Sequence, residues 1–427
     1  MKVLVIGGGG REHAIVWALH KSPLVTEILC APGNGGIAQL ARCIPVDPGN
    51  LHAMVNIVAI EQPALTVIGP ELPLSVGIVD ELTKRGRRVF GPTQAAAQLE
   101  TSKAFAKEFM QRHVIPTAAY ALCTTLGEVR EELRRFTVPV VVKASGLAAG
   151  KGVVICNTHL QAEETAAQMF SGALLGAQET EIILEEFLTG EELSFFALCD
   201  GTHAIELASA QDHKRIGEGD TGPNTGGMGA YSTDAIATPA MRQWLLRNVA
   251  QKVVDGMRSE GNPFRGILFC GIMMTSRGPM VLEFNTRFGD PETEAILLRL
   301  ETDIVDLFNA AIDGTANQLT IRMSPGASVC VIAASGGYPG KFTSGKLITI
   351  PAPVKNETED VVVFHSGTVI KDNQLITAGG RVLAISTTAP DLQTALDKAY
   401  AQLAAISFEG MQFRRDIGHR ALHQVRA

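Results

Sequence analysis

The first hundred residues alternate short apolar runs with amphipathic stretches, and this rhythm restricts the fold more than any other feature of the chain. Val3–Ile6, Glu27–Cys30, Leu65–Ile68 and Arg88–Phe90 read as strands that lead into glycine or proline, with helical spacing at 11–21, 50–61 and 75–86 between them. Repeated βαβ units place strands in parallel with helices on both faces, a doubly wound sheet. A second region opens near Ser102-Lys103 with a helix to about Arg112. Within it, Val138–Lys143, Val153–Cys156 and Ile182–Phe187 read as strands of a small α+β lobe with a helix at 159–171. Strands are expected next at Leu193–Leu198 and Ala204–Ala208, then a glycine-dense stretch at 217–229, a helix at 239–259 and strands at Leu268–Met274 and Met280–Phe284. From about 326 the composition turns to β, glycine and turns, closing on a helix at 390–404. At 427 residues the chain is too long for a single core, so several domains are expected.

Composition removes several functional classes. The chain is 46% hydrophobic and 19% charged, as globular enzymes are. A net charge of −7 and a pI near 5.8 leave no basic nucleic-acid footprint, and Lys84–Arg88 reads as the solvated end of a helix. No apolar run approaches the roughly 18–20 residues that span a bilayer, and Met1–Ile6 runs into glycines without a signal-peptide pattern. Seven scattered cysteines without a Cys-x-x-Cys pair argue against a disulfide framework or zinc site. The expectation is a soluble cytoplasmic protein without nucleic-acid or membrane partners.

Five segments carry chemistry. In Val281–Glu292 a strand is expected to run to Phe288, setting Glu283, Asn285 and Arg287 on one face and packing Leu282 and Phe284 on the other. A carboxylate, an amide oxygen and a guanidinium side by side suit a metal-bound polyphosphate, since Mg²⁺ takes a few protein oxygens and completes its shell with water and phosphate; an ordinary ion pair is the competing reading. Val3–His13 is a strand, a glycine turn and a helix start, able to meet a phosphate monoester through Gly9, Gly10 and Arg11. It is a poor dinucleotide site, because Glu12 stands where the third glycine belongs and Ala31 where a ribose-binding acid belongs. Lys143–Gly152 is a glycine loop between lysines that can fold over phosphates, although Gly152 after Lys151 breaks the Walker pattern. Glu185–Ser194 offers carboxylates at a strand turn for a base amine or ribose hydroxyl. In Gln211–Gly229, Asp212 can pair with an ammonium group, Lys214 and Arg215 add positive charge, and His213 is expected to be solvated and without a catalytic role. The glycines there suggest a loop shaped around a ligand.

These segments, in this order, resemble the ATP-grasp family, and within it the branch that ligates glycine to 5-phosphoribosylamine. The likeness extends through Ala31–Asn34, Gly69–Glu71, Gly91–Thr93, Gln98–Phe105, Ser335–Gly340, His365–Thr368, Gly379–Leu383 and Arg415–Gly418. It implies an ATP-grasp fold in three parts: a doubly wound domain at 1–101, an ATP-grasp domain at 102–325 with a mobile lobe at about 121–190, and a small β-rich domain at 326–427. It implies that Lys103 and Lys143 neutralise phosphates under a loop containing Gly146, Gly150, Lys151 and Gly152. Glu185, Glu186, Phe187 and Leu188 would surround adenine, and Glu192 would take the ribose. Glu283 and Asn285 would hold Mg²⁺ or Mn²⁺. Arg287, Asp212 and Lys214 would act on the reacting groups, with Asp212 on the glycine ammonium. Gly9, Gly10, Arg11, Thr225, Gly226 and Gly227 would bind the phosphoribosylamine side. A glycyl phosphate intermediate and a monomer or weak dimer are implied. Two departures stand out: Gly271 lies where a further metal carboxylate is usual, and Ser145 where the glycine loop commonly has Asp. Another ATP-grasp ligase, a non-enzymatic nucleotide-binding regulator and an NAD oxidoreductase are the competing readings.

Overall fold

A computed structural model describes residues 1–146, 152–176, 178–351 and 360–424. The N-terminal sheet has five parallel strands in the order Arg42–Cys43, Glu27–Pro32, Lys2–Gly7, Leu65–Ile68, Val89–Phe90. Its two faces are filled by alternate residues of the same strands. Leu4 and Ile6 pack with Met54, Val58, Ile78 and Leu82, while Val3 and Val5 pack with Ile15, Val16 and Leu19. The four expected strands are present. The Arg42–Cys43 edge strand is too short for a periodic signal, and the single helix expected at 75–86 is two, Glu71–Ser75 and Ile78–Lys84. Gly77, at φ +82°, breaks them in a conformation that suits glycine.

Ser102 joins this unit to the next. It ends the helix Gln94–Thr101 and caps the helix Lys103–Arg112, its hydroxyl accepting the Phe105 amide at 3.1 Å. Lys103 thereby starts a helix aimed at the cleft. The lobe above it is a four-stranded sheet, Tyr120–Cys123, Ile182–Glu186, Val140–Ala144, Val153–Cys156. Val140, Val142, Ile182 and Leu184 pack on the helices Leu126–Glu132 and His159–Phe170. Strand alternation then turns Lys143 and Glu185 to the opposite face.

The largest element is an eight-stranded antiparallel sheet. Its order is Gly278–Asn285, Arg265–Thr275, Glu191–Asp200, Ala204–Asp212, Gly229–Thr233, Ala327–Ala334, Arg381–Ala389, Val361–His365. Residues beyond 326 therefore extend the sheet begun earlier in the chain, through Gly229–Thr233 paired with Ala327–Ala334. The helix expected at 239–259 is continuous but contains a π turn at Leu246–Ala250. Part of the glycine-dense stretch is regular: Arg215–Gly217 and Thr221–Asn224 form a hairpin. All seven cysteines are free thiols, and among the described residues no helix is long and apolar enough to cross a membrane.

The first helix, Gly10–His20, meets the far edge of the large sheet through two histidines. The His365 amide donates to His13 Nδ1 at 2.8 Å, and the rings lie 5.5 Å apart. Burial, joined by the neighbouring His365 ring, pushes His13 down to about 3, and burial pushes His365 down to about 4. Each folded value lies below the ordinary 6.5, so the stabilisation is complete above pH 6.5 and is lost as pH falls toward those values. Between pH 6 and 5 stability should fall by about 1.4 kcal/mol per pH unit for each histidine. Urea unfolding across that range checks it, and His13→Gln should flatten the slope by about one proton.

Candidate functional site

The lobe and the large sheet face each other across a cleft lined with cations. Lys103 Nζ donates to the Gly146 carbonyl at 2.9 Å, its amide donates to the Ser145 carbonyl at 2.9 Å, and Ser145 Oγ accepts the Ala104 amide at 3.2 Å. Ser145 thus ties the mouth of the glycine loop to the helix start. Gly152 accepts the Ala144 amide at 2.8 Å across the base of that loop. Gly150 and Lys151 lie outside the described residues.

Glu185 is buried between two ammonium groups, with Lys143 Nζ at 2.7 Å and Lys107 Nζ at 3.0 Å. Each oxygen faces one ammonium group, so the carboxylate organises the two cations. Lys107, which the sequence analysis passed over, also donates to Thr117 Oγ1 at 2.6 Å, and that hydroxyl donates to the Val281 carbonyl at 2.7 Å. Burial lowers Lys107 to about 8 against the attraction of Glu185. Ala118, Leu188, Met273, Met280 and Leu282 form an apolar patch beside these charges, a surface for a flat ring. Glu186 turns outward to Arg277 at 2.6 Å, and Phe187 follows the strand end before buried Leu188.

The strand expected to reach Phe288 stops at Asn285. Its pairing with Arg265–Thr275 slips between Gly271↔Glu283 and Ile272↔Val281, leaving Leu282 as an inserted residue. The bulge turns Leu282 onto the apolar patch while Val281 and Phe284 stay in the core, which corrects the inward packing expected for Leu282. Glu283 remains on the cleft face opposite Gly271, with Lys214 Nζ 3.6 Å away. Burial opposes its ionisation, but the ammonium groups of Lys214, Lys143 and Lys103 hold it below the ordinary carboxylate value. The Asn285 amide, oriented by its partners, donates to Glu100 Oε1 at 3.1 Å, which leaves its oxygen free to accept.

Arg287 lies beyond the strand and is placed by carboxylates, not by alternation. Its Nη2 is 2.8 Å from Glu100 Oε1 and its Nε 3.4 Å from Glu71 Oε2. Glu100 also accepts the Thr286 amide and hydroxyl at 2.7 and 3.1 Å. Despite burial, Arg287 and Arg11 hold Glu71 down at about 2.

A second, acidic pocket adjoins the cleft. Lys214 bridges the two, 2.9 Å from Glu192. Buried Glu292 accepts Ser194 Oγ at 2.9 Å, and Asp212 Oδ1 is buried without a partner. Burial, with Glu292 beside it, pushes Asp212 well above its ordinary value. Gly227 packs on Asp212 so closely that a Cβ there would lie 2.8 Å from Oδ1. Thr225 holds the loop by donating from Oγ1 to the Lys214 carbonyl at 2.9 Å and accepting the Gly227 amide at 2.9 Å. Arg381 reaches in to the carbonyls of Gly226 and Asp290 at 2.6 and 2.9 Å and to Asp290 Oδ1 at 3.0 Å. Glu292 and Arg381 belong to segments the family resemblance had marked, yet neither was singled out.

Two expectations are corrected here. Arg11 is buried, its Nε donating to Glu12 and its Nη1 to the Phe288 carbonyl at 3.3 Å, while Glu12 also accepts the Gly9 amide at 2.6 Å. The same Glu12 that spoils the dinucleotide pattern thus occupies the donors assigned to a phosphate. Gly10 is a packing glycine, since a Cβ would sit 2.3 Å from Glu294 Oε1 and 2.6 Å from Ser366 Oγ. His213, expected in solvent, is fully buried, with Nε2 accepting the Gly418 amide at 3.1 Å. Burial and the nearby Arg414 lower it to about 3, so it is neutral and adds no charge.

Comparison with known proteins is consistent along the whole chain. Residues 1–100, 101–293 and 328–420 match the N domain, the ATP-grasp (A) domain and the C domain of phosphoribosylglycinamide synthetase. A phosphoribosylamine–glycine ligase of Xanthomonas campestris is 46% identical, covering 100% of this chain and 99% of its own. One from Chlorobaculum tepidum is 46% identical over 99% of this chain and 100% of its own. The crystal structure of the Thermotoga maritima phosphoribosylamine–glycine ligase is 34% identical, with a TM-score of 0.86 over 98% of this chain and 100% of that one. The biotin carboxylase domain of Hydrogenobacter thermophilus 2-oxoglutarate carboxylase shares the fold at 17% identity, TM-score 0.75, over 96% and 91% of the two chains.

Glu185→Gln removes the counter-charge of two buried lysines. A cost of about 3–5 kcal/mol is expected, as for a broken buried pair, read by urea unfolding, together with weaker nucleotide binding by calorimetry. Unchanged stability would show that water already neutralises the pair.

Proposed function

The chain belongs to the phosphoribosylglycinamide synthetase family of ATP-grasp ligases, and on that premise we propose that it joins glycine to 5-phosphoribosylamine with ATP, giving glycinamide ribonucleotide, ADP and phosphate. It is a C–N ligase of purine synthesis that uses ATP and a divalent cation. The observation that carries the substrate reading is the acidic pocket of Asp212 and Glu292 joined through Lys214 to the lysine-lined cleft. A buried carboxylate oxygen without a hydrogen-bond partner suits an ammonium, and the neighbouring cations suit phosphate.

The γ-phosphoryl group passes from ATP to the glycine carboxylate, and the amine of phosphoribosylamine then attacks the acyl carbon and expels phosphate. No covalent bond to protein is needed, so positioning and charge neutralisation carry the rate. Lys103 and Lys143 meet the phosphates, with Glu185 holding Lys143 in place. Adenine lies on Leu188, Leu282 and Met273, beside the strand end at Glu186 and Phe187, and Glu192 takes the ribose. Asp212 holds the glycine ammonium, while Lys214 and Arg287 face the carboxylate being phosphorylated. Thr225, Gly226 and Gly227 line the amine side with Arg381. Glu283 and Asn285 fit Mg²⁺ or Mn²⁺: an ionised carboxylate and a free amide oxygen suffice for an ion that draws its other ligands from phosphate and water. Among the described residues no group of three acidic, His or Cys side chains competes as a metal site. When bound, the ion neutralises charge on the transferring phosphoryl group.

ADP release should require glycine, phosphoribosylamine and Mg²⁺ together, and ADP formed equally well without phosphoribosylamine would overturn this reading. Glu283→Gln should lower kcat on the order of 10²–10³-fold, the several kcal/mol a metal's charge supplies, with circular dichroism unchanged. Because Asp212 in the free protein is raised above its ordinary value, an ammonium ligand binds less tightly as pH falls through that value. KM for glycine should rise toward tenfold per pH unit on the acid side, and Asp212→Asn should abolish the dependence while raising KM.

A further inference from the structure

Lys214 and Thr225, two of the residues assigned to the pocket, flank a hairpin with little support of its own. The hairpin Arg215–Gly217 and Thr221–Asn224 contains glycines at 217, 219 and 222 and has no buried residue in either strand. Its anchor lies about two hundred residues away. Arg414 is fully buried, and each of its nitrogens donates: Nη1 to Asp220 Oδ1 at 2.9 Å and to the Arg215 carbonyl at 3.1 Å, Nε and Nη2 to the two Asp416 oxygens at 2.8 Å each. Asp416 in turn accepts the Gly219 amide at 2.8 Å, and Arg420 donates to the second oxygen of Asp220. Four residues on, the Gly418 amide donates to His213 Nε2 at 3.1 Å. The segment Phe413–Arg420 therefore grips the hairpin tip, the His213 ring before Lys214 and the Arg215 carbonyl after it, while the Lys214 carbonyl accepts the amide and hydroxyl of Thr225.

We infer that Arg414 is a positioning residue for the amine-substrate pocket: its forked contacts to Asp220, Asp416 and the Arg215 carbonyl fix where Lys214 and Thr225 stand beside Asp212, which the large sheet holds. The inference rests on the ligase reading. The planar guanidinium makes four contacts from three nitrogens, more than the three donors of an ammonium, so a lysine in its place retains the charge and loses the geometry. Arg414 touches none of Lys103, Lys143, Glu185 or Glu283 and reaches the ATP side only through Lys214, so ATP binding is predicted to respond far less than binding in the amine pocket.

The test is steady-state kinetics of full-length Arg414→Lys and Arg414→Ala with each substrate varied, alongside calorimetric ATP binding and thermal unfolding. Expected are KM values for glycine and phosphoribosylamine raised tenfold or more, KM and Kd for ATP within twofold of wild type, and a smaller effect for lysine than for alanine. If Arg414→Ala does not fold, Asp220→Asn carries the same test by opening one side of the fork, with the same split in KM expected. A lowered melting temperature with all three KM values unchanged would mark Arg414 as purely structural and overturn the inference, as would a parallel rise in KM for ATP. Wild-type protein that makes no glycinamide ribonucleotide would overturn the ligase reading and this one with it. A working wild type with unshifted variants overturns this one alone.

Discussion

Concentrating ammonium groups in one cleft is unfavourable unless each has an acid near it, and the Glu185 carboxylate is the interaction on which that arrangement turns. It stands between Lys143 of the lobe and Lys107 of the body, so a single buried acid both neutralises the two cations and fastens lobe to body. From Lys107 the chain of contacts passes through Thr117 to the Val281 carbonyl, on the strand that carries Glu283. Removing charge at one end of this series alters the geometry at the other, since few of its members have water to fall back on.

The acidic pocket follows the opposite logic. Asp212 Oδ1 is left without a hydrogen-bond partner in a place where burial disfavours the charge. Such a group favours the neutral acid or the company of a further cation. Lys214 lies between the two regimes, close to Glu192 and Glu283 at once, and makes them a single electrostatic unit in which filling one half changes the other.

How much of this the sequence disclosed depended on distance along the chain. The parallel sheet was legible because its signal is local: apolar runs, helical spacing and turn residues recur within thirty residues. The strand before Asn285 was legible as a strand, but the side each residue faces was not beyond one point, because a bulge at Leu282 shifts the alternation and is set by the partner strand. Glu185 looked like a free carboxylate because Lys107, one of the two lysines against it, is remote in sequence and on a helix. Arg11 shows the reverse: Glu12, its neighbour in sequence, was already noted as out of pattern, and its capture of Arg11 was readable there. His213 was misjudged because a glycine-rich surrounding suggested solvent, whereas Gly418, from the far end of the chain, buries it.

The order of strands in the large sheet bears on how such a chain is born. Arg381–Ala389 lies between Ala327–Ala334 and Val361–His365, so the last of the three to be synthesised occupies the middle place. Until it emerges from the ribosome, Val361–His365 has no strand to lie against, and the pocket has no Arg381. The closing of the sheet and the delivery of that guanidinium are one event. A growing chain thus carries Lys103 and Lys143 long before Arg381 can join Asp290 and Gly226.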